Sequence, residues 1–233
     1  MSSPFADNPG KRTIVLGSQS PRRRELMQSV IPSEQLIVLP PQNEDEAGFD
    51  DCDTESLIEA RIHEITGTKL DDVKSQVDAR SEAADGLAAF TVVCADTIVV
   101  VREPGSDPHR PARVLGKPPM PHWQPVVRDW FQRYYAEGPH EVWTCFGVAD
   151  GSRRRLQTVR TSVTMGAIDD WWLDWYLSTD EPVGKAGGYG IQGLAAHLVQ
   201  SVEGSLTNVI GLPMLELVAV LREVGVLSDG DRQ

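Results

Sequence analysis

Thr91-Val92-Val93-Cys94-Ala95-Asp96-Thr97-Ile98-Val99-Val100-Val101 is built from β-branched, small and apolar side chains, and a single carboxylate interrupts it. Such a run reads as a strand buried on both faces, because β-branched side chains pack well on a pleated surface. Strand and helix patterns alternate along the rest of the chain, which makes it α/β. Asp96 is the anomaly: taking a carboxylate out of water is costly unless it is paired. It either caps a corner by bonding backbone amides or has a chemical task, and the residue alone does not choose between them.

Upstream, Thr13-Ile14-Val15-Leu16 reads as a second buried strand. Gly17-Ser18-Gln19-Ser20-Pro21 follows, with Ser20 placed as an N-cap and Pro21 at the first helical position, so a helix should run through Arg22, Arg23 and Met27 toward Val30. A second helix, capped by Thr54, carries Ile58, Ile62 and Ile65 at i, i+4 and i+7 and is expected to end near Gly67. The polar segments 74–86 and 102–113 are predicted to be inserted surface loops. Downstream the patterns give a helix over 125–136 and strands over 141–149 and 155–167, joined at Asp150-Gly151. A helix capped by Asp169 should run through Leu177, and a glycine-rich loop spans 181–193. A last helix over 213–224 should stop at Gly225. The rhythm is not a clean βαβ repeat, so a mixed sheet is expected. Residues 1–11 and 228–233 read as tails, leaving 12–227 as one domain.

Composition narrows the function. With 233 residues, 40% of them hydrophobic, the chain can bury a sizeable core. A net charge of −12 opposes nucleic-acid or anionic-membrane partners, which are held by clustered Lys and Arg, but leaves room for a small anion bound in a locally basic cleft. Cys52, Cys94 and Cys145 are odd in number and widely spaced, which suits reduced structural thiols rather than a zinc site. The opening residues lack an apolar signal region and no long apolar run occurs, so the cytoplasm is the expected location.

Chemistry concentrates in few places. The strand-to-helix junction Ser18-Gln19-Ser20-Pro21-Arg22-Arg23 combines unpaired backbone amides, a positive dipole end, hydroxyls and guanidinium groups, a set suited to phosphate. It reads equally as a capped helix with a solvated basic face. Lys117, in Leu115-Gly116-Lys117-Pro118, is not part of a Walker A frame. Gly188, Gly190 and Gly193 satisfy GxGxxG, yet Glu181-Pro182-Val183-Gly184-Lys185 stands where a Rossmann strand should be. Those glycines are expected to let the backbone approach a ligand, with Lys185 and Gln192 as polar contacts. The tryptophans Trp171, Trp172 and Trp175 are read as core or interface residues.

Five segments in order, GSQSPRRREL at 17–26, CADTIVV at 94–100, LGKP at 115–118, EPVGKAGGYGIQG at 181–193 and NVIGLP at 208–213, resemble the Maf family of nucleoside-triphosphate pyrophosphatases. The resemblance extends from about residue 14 to 221. It implies a mixed α/β fold of two lobes around a cleft, ITPase-like in architecture and often dimeric. The implied reaction cleaves the bond between the α and β phosphates with Mg²⁺ or Mn²⁺. Carried over by position, Asp96 is the proton acceptor and a metal ligand, and Ser18, Arg22, Arg23, Thr97, Lys117, Lys185 and Gln192 are substrate contacts. Glu44 is the second metal residue, although Asn43-Glu44-Asp45-Glu46 offers more than one candidate. Arg22, Thr97 and Gln192 resemble the dTTP/UTP branch; the 7-methyl-GTP branch carries a glutamate at the last position.

The family's usual lysine in the second helix is read here as replaced by His63, which would make one phosphate contact pH-dependent. Two other functions stay open at this point. One is a nucleotide-binding regulator of septum formation without turnover, and the other a pyrophosphatase for modified purine triphosphates.

Overall fold

The structure is a computed structural model and describes residues 12–43, 48–83, 90–105 and 111–227. The two predicted tails and Glu44 lie outside the described residues. Seven strands form one mixed sheet among those described: β1 (Thr13–Gly17), β2 (Leu36–Val38), β3 (Phe90–Arg102), β4 (Ala112–Leu115), β5 (His140–Asp150), β6 (Arg153–Met165) and β7 (Val199–Glu203). Their order is β2-β1-β3-β5-β6-β7, with β4 paired to β3. β1 runs parallel to β2 and β3, and all other pairs are antiparallel.

The run that contains Asp96 is the axis of this sheet. Along one edge of β3, residues 91–100 pair with β5 without a break. Along the other edge, β1 pairs with residues 90–94 and β4 with residues 99–102. Residues 95–98 face neither strand, because β1 has already turned away at Gly17 and β4 starts from the opposite end. Asp96 and Thr97 sit in that gap.

Among the described residues six α-helices cover the sheet: α1 (Pro21–Gln28), α2 (Glu55–Ala83), α3 (Trp123–Trp130), α4 (Asp170–Leu177), α5 (Leu206–Ile210) and α6 (Met214–Glu223). Alternation along β3 divides the contacts between its two faces. Val92 and Cys94 pack under Leu70, Val73 and Val77 of α2, and Ile98 and Val100 pack with Ile58 and Ile62 of the same helix. The opposite face carries two separate cores. Val93 and Ala95 join Met27 of α1 and Leu217 and Leu221 of α6, an aliphatic lobe. Val99 and Val101 join Val127, Phe131, Leu173 and Tyr176, an aromatic lobe. The cleft between these lobes opens at the gap in β3, giving the two-lobed mixed α/β arrangement.

Three local expectations change. Helix α2 does not stop near Gly67 but continues to Ala83, so much of the predicted loop 74–86 is helical. Its buried stripe runs unbroken through Ile58, Ile62, Thr66, Leu70, Val73 and Val77, while Lys74 and Asp78 pair on the outer side at 2.6 Å. Gly67 is there for space: a Cβ would lie 2.6 Å from Nη2 of Arg154, which reaches over the helix from β6. The loop predicted over 102–113 shrinks, because Arg102 ends β3 and Ala112 begins β4; residues 106–110 lie outside the described set. The helix predicted over 125–136 leaves α-geometry at Trp130. It ends in a π-turn over Phe131–Tyr135, closed by Ala136 N donating to Phe131 O at 3.0 Å. The inserted residue turns both Tyr134 and Tyr135 inward, in different directions. No described helix is long and apolar enough to cross a membrane.

Candidate active site

The cleft has a volume of about 650 Å³. Ser18, Arg22, Arg23, Asp96, Thr97, Lys117, Lys185 and Gln192, all singled out from the sequence, line it. Five cations, Arg22, Arg23, Lys69, Lys117 and Lys185, share the described lining with one carboxylate, Asp96, in a protein whose net charge is −12. Low-dielectric walls of a single sign focus field onto a small anion, so the cleft attracts what the rest of the surface repels.

The strand pleat points Asp96 toward α2, where Lys69 donates to its Oδ1 at 2.7 Å. Both side chains are mostly buried, with 16% and 14% exposed. The sequence reading looks to His63 for this helix's polar contact and does not single out Lys69. His63 instead meets the Thr158 hydroxyl at 2.9 Å and does not line the cleft. Ending the helix near Gly67 leaves Lys69 outside it; with α2 continuous, Lys69 falls on the turn between Thr66 and Val73 that faces β3.

Thr97 points to the opposite face, and the directions of its hydrogen bonds can be worked out. Thr144 donates its one proton to the Asn208 carbonyl at 3.1 Å, so in the 2.9 Å contact between Thr97 and Thr144 the donor is Thr97. Nη2 of Arg23 donates to the Thr97 hydroxyl at 3.0 Å. Thr97 therefore keeps only a lone pair for anything bound in the cleft.

Arg23 and Arg22 are neighbours in α1 with different fates. The first turn is capped as expected, with Ser20 Oγ accepting from Arg23 N at 3.4 Å and Pro21 at the helix start. Arg23 then turns into the protein. Its Nε donates to Gly211 O at 2.8 Å, and its Nη1 to Ala95 O at 2.7 Å and Ser18 Oγ at 3.3 Å. Ala95 belongs to the gap in β3, so the guanidinium takes the place of the missing strand there. The side chains of Arg22, Lys117 and Gln192 line the cleft without a hydrogen bond or ion pair to another described residue. Lys185 Nζ donates to the Glu181 carbonyl. Burial holds its ammonium below the ordinary lysine range; nearby Glu181 opposes that shift and Arg22 adds to it.

The glycine-rich loop differs from expectation in one respect. Its glycines make room for the protein's own side chains: a Cβ on Gly188 would meet Val127 at 2.9 Å, on Gly190 the Lys185 stem at 3.1 Å, and on Gly193 the Glu181 carboxylate at 2.2 Å. The three cysteines are free and buried, and burial pushes the Cys94 thiol up to about 12. Among the tryptophans, Trp172 is buried while Trp171 and Trp175 face solvent. Among the described residues no group of three or more His, Cys, Asp or Glu could by itself hold a metal ion.

Comparison with known proteins agrees with this geometry. A family model described as Maf-like protein matches residues 13–224. A dTTP/UTP pyrophosphatase from Syntrophus aciditrophicus (strain SB) is 33% identical over 94% of this chain and 94% of its own length. Relatives with the same description occur in Geobacter sp. (strain M21), 33% identical over 93% and 98%, and in Nitratidesulfovibrio vulgaris (strain Hildenborough), 35% identical over 92% and 89%. With the ordered motifs gathered on one cleft and the family model spanning nearly all the described residues, this chain belongs to the Maf family.

Proposed function

We propose that this protein hydrolyses dTTP and UTP to the nucleoside monophosphate and pyrophosphate, with Asp96 handling the attacking water. One observation carries the reading: a cleft whose described lining gathers five cations around one carboxylate in a protein of charge −12. The relatives described as dTTP/UTP pyrophosphatases support it.

Phosphoanhydride hydrolysis is mainly a matter of placing water in line and neutralising phosphate charge. Arg22, Lys117 and Lys185 supply charge at the rim. Lys69 fixes the Asp96 carboxylate by one oxygen, leaving the other to orient a water and accept its proton. Asp96, with Glu44, would hold a Mg²⁺ or Mn²⁺ ion. One described carboxylate among cations suits an ion that arrives coordinated by the substrate phosphates rather than one caged by protein. When bound, that ion adds charge neutralisation and makes its bound water more acidic. A cytoplasmic homodimer is part of the same proposal.

Gln192 is assigned to the base. Uracil and thymine offer an N3–H donor beside carbonyl acceptors, which one amide pairs by accepting and donating together. Guanine offers adjacent N1–H and N2–H₂ donors, which would face the amide NH₂. Leaving a buried donor unpaired costs about 1–3 kcal/mol, so this contact alone gives roughly 10- to 100-fold discrimination. The test compares kcat/KM for UTP, dTTP, GTP and 7-methyl-GTP in the native protein and in Gln192→Glu. The native ranking should favour UTP and dTTP, and the substitution should move it toward guanine. A native preference for a guanine nucleotide, or a ranking unmoved by the substitution, overturns the assignment.

A further inference from the structure

Lys185 and Gln192 reach the cleft from a segment that has no regular structure between them beyond one 3₁₀ turn, Ala186–Gly188. Within that turn Gly187 and Gly188 both adopt left-handed conformations, with φ of 68° and 69°. Two such residues in succession swing consecutive carbonyls away from the cleft and into the aromatic lobe. Each carbonyl ends on a buried phenol: Tyr135 donates to Gly187 O at 2.7 Å and Tyr176 to Gly188 O at 3.0 Å. The next side chain is fixed as well, since the Tyr189 hydroxyl meets Nε2 of His140 at 2.7 Å. We propose that Tyr135 and Tyr176 are positioning residues, which act through the Gly187 and Gly188 carbonyls to set where Lys185 stands against the bound triphosphate.

Packing alone does not account for the two hydroxyls. Tyr135 and Tyr176 are 1% and 0% exposed, and Phe131, between them in space, shows that the lobe accepts a plain phenyl ring. A buried hydroxyl is unfavourable without a partner, and these two find their partners only on the loop. The π-turn supplies the aim: its extra residue lets Tyr134 meet Glu103 at 3.1 Å while adjacent Tyr135 reaches Gly187. The 3₁₀ turn Ala186–Gly188 also connects two cleft lysines, because Gly187 N donates to Gly116 O at 3.0 Å and Gly116 precedes Lys117. The clamp does not titrate near neutrality: burial pushes the phenols of Tyr135 and Tyr176 upward and holds His140 down to about 3.

The inference rests on the cleft being a nucleotide site and not on its rate of turnover, so the experiment reads binding. The affinity for a non-hydrolysable α,β-imido-UTP is measured by calorimetry in the native protein, Tyr135→Phe, Tyr176→Phe, the double Tyr135→Phe/Tyr176→Phe, Lys185→Met and the two single Tyr→Phe/Lys185→Met combinations. Tyr134→Phe serves as the control from the same π-turn. Each loop-facing phenol should cost about 10-fold in Kd, and the double Tyr→Phe variant on the order of 10²-fold, the penalty of a misplaced contact group. In the Lys185→Met background the tyrosine effects should largely vanish, since coupled groups are not additive. Native affinity in both single Tyr→Phe variants overturns the proposal, and so do tyrosine losses that persist undiminished without Lys185. If one variant fails to fold, the other completes the cycle. A native protein that binds the analogue but releases no pyrophosphate from UTP would refute the proposed reaction and leave this inference standing.

Discussion

The floor and the rim of the cleft differ in how much of their hydrogen-bonding capacity is already used. On the floor, Asp96 is held by Lys69, and Thr97 lies between Arg23 and Thr144. At the rim, Arg22, Lys117 and Gln192 have no such partner among the described residues. A floor already bonded reorganises little during reaction, which is what electrostatic stabilisation of a transition state needs. A rim without partners keeps its donors for the ligand. Substitutions on the floor should therefore act on kcat and stability, and substitutions at the rim on KM.

The largest expected effect is at the centre of the floor. Asp96→Asn keeps the size and removes the proposed base, so pyrophosphate release from UTP should fall by about 10² or more; the fold should be retained, with a lowered thermal midpoint because Lys69 loses its anionic partner. Release within a few-fold of native would break the comparison at its strongest point. The adjacent arginines sharpen it further. Arg23→Lys keeps charge but loses the planar fork that serves Gly211, Ala95 and Thr97, and should lower stability by about 2 kcal/mol or more in chemical denaturation. Arg22→Lys should leave stability unchanged and raise KM by about 10-fold, the value of one charge-assisted hydrogen bond. Equal effects from the two would erase the distinction between floor and rim.

Lys185 gives a smaller, pH-dependent effect. In the proposed function its charged form binds phosphate; burial lowers its pKa from 10.5, so the charge is lost at a lower pH than for an ordinary lysine. KM for UTP should rise by a few-fold on the alkaline side, starting below that value, and Lys185→Arg should postpone the rise. An alkaline limb identical in the two proteins would assign it to another group. The smallest expectation is no effect: His63→Gln should leave the KM profile unchanged between about pH 6 and 8, because His63 faces Thr158 and not the cleft.

What the sequence disclosed followed from local rules, and what it concealed depended on tertiary contacts. β3 was legible because its β-branched run is long, and the start of α1 because Ser20 and Pro21 mark it chemically. Lys69 was hidden by Gly67: a glycine in a helix costs about 1 kcal/mol and normally signals an end, and only the crossing Arg154 explains its place. β2, Leu-Ile-Val, is apolar but only three residues long, and β7, half-exposed with the sequence Val-Gln-Ser-Val-Glu, lacks the alternation that marks a strand. Both are strands because neighbours pair with them. The opposite fates of Arg22 and Arg23 could not be read from adjacent letters, since one residue step turns a helix by about 100° and only the fold says which direction is inward.

Helix α2, 29 residues long, rests on Val92 and Cys94 on one side of the cleft line and on Ile98 and Val100 on the other. β3 and β5 cross that line unbroken as well. In mechanical terms the two lobes are splinted: a rod and a two-stranded ribbon bridge the place where a hinge would otherwise be. The cleft should then behave as a slot of fixed width and not a jaw, with a nucleotide passing moving side chains on the timescale of rotamers rather than of domain closure. Small-angle scattering should accordingly give the same radius of gyration with and without bound nucleotide.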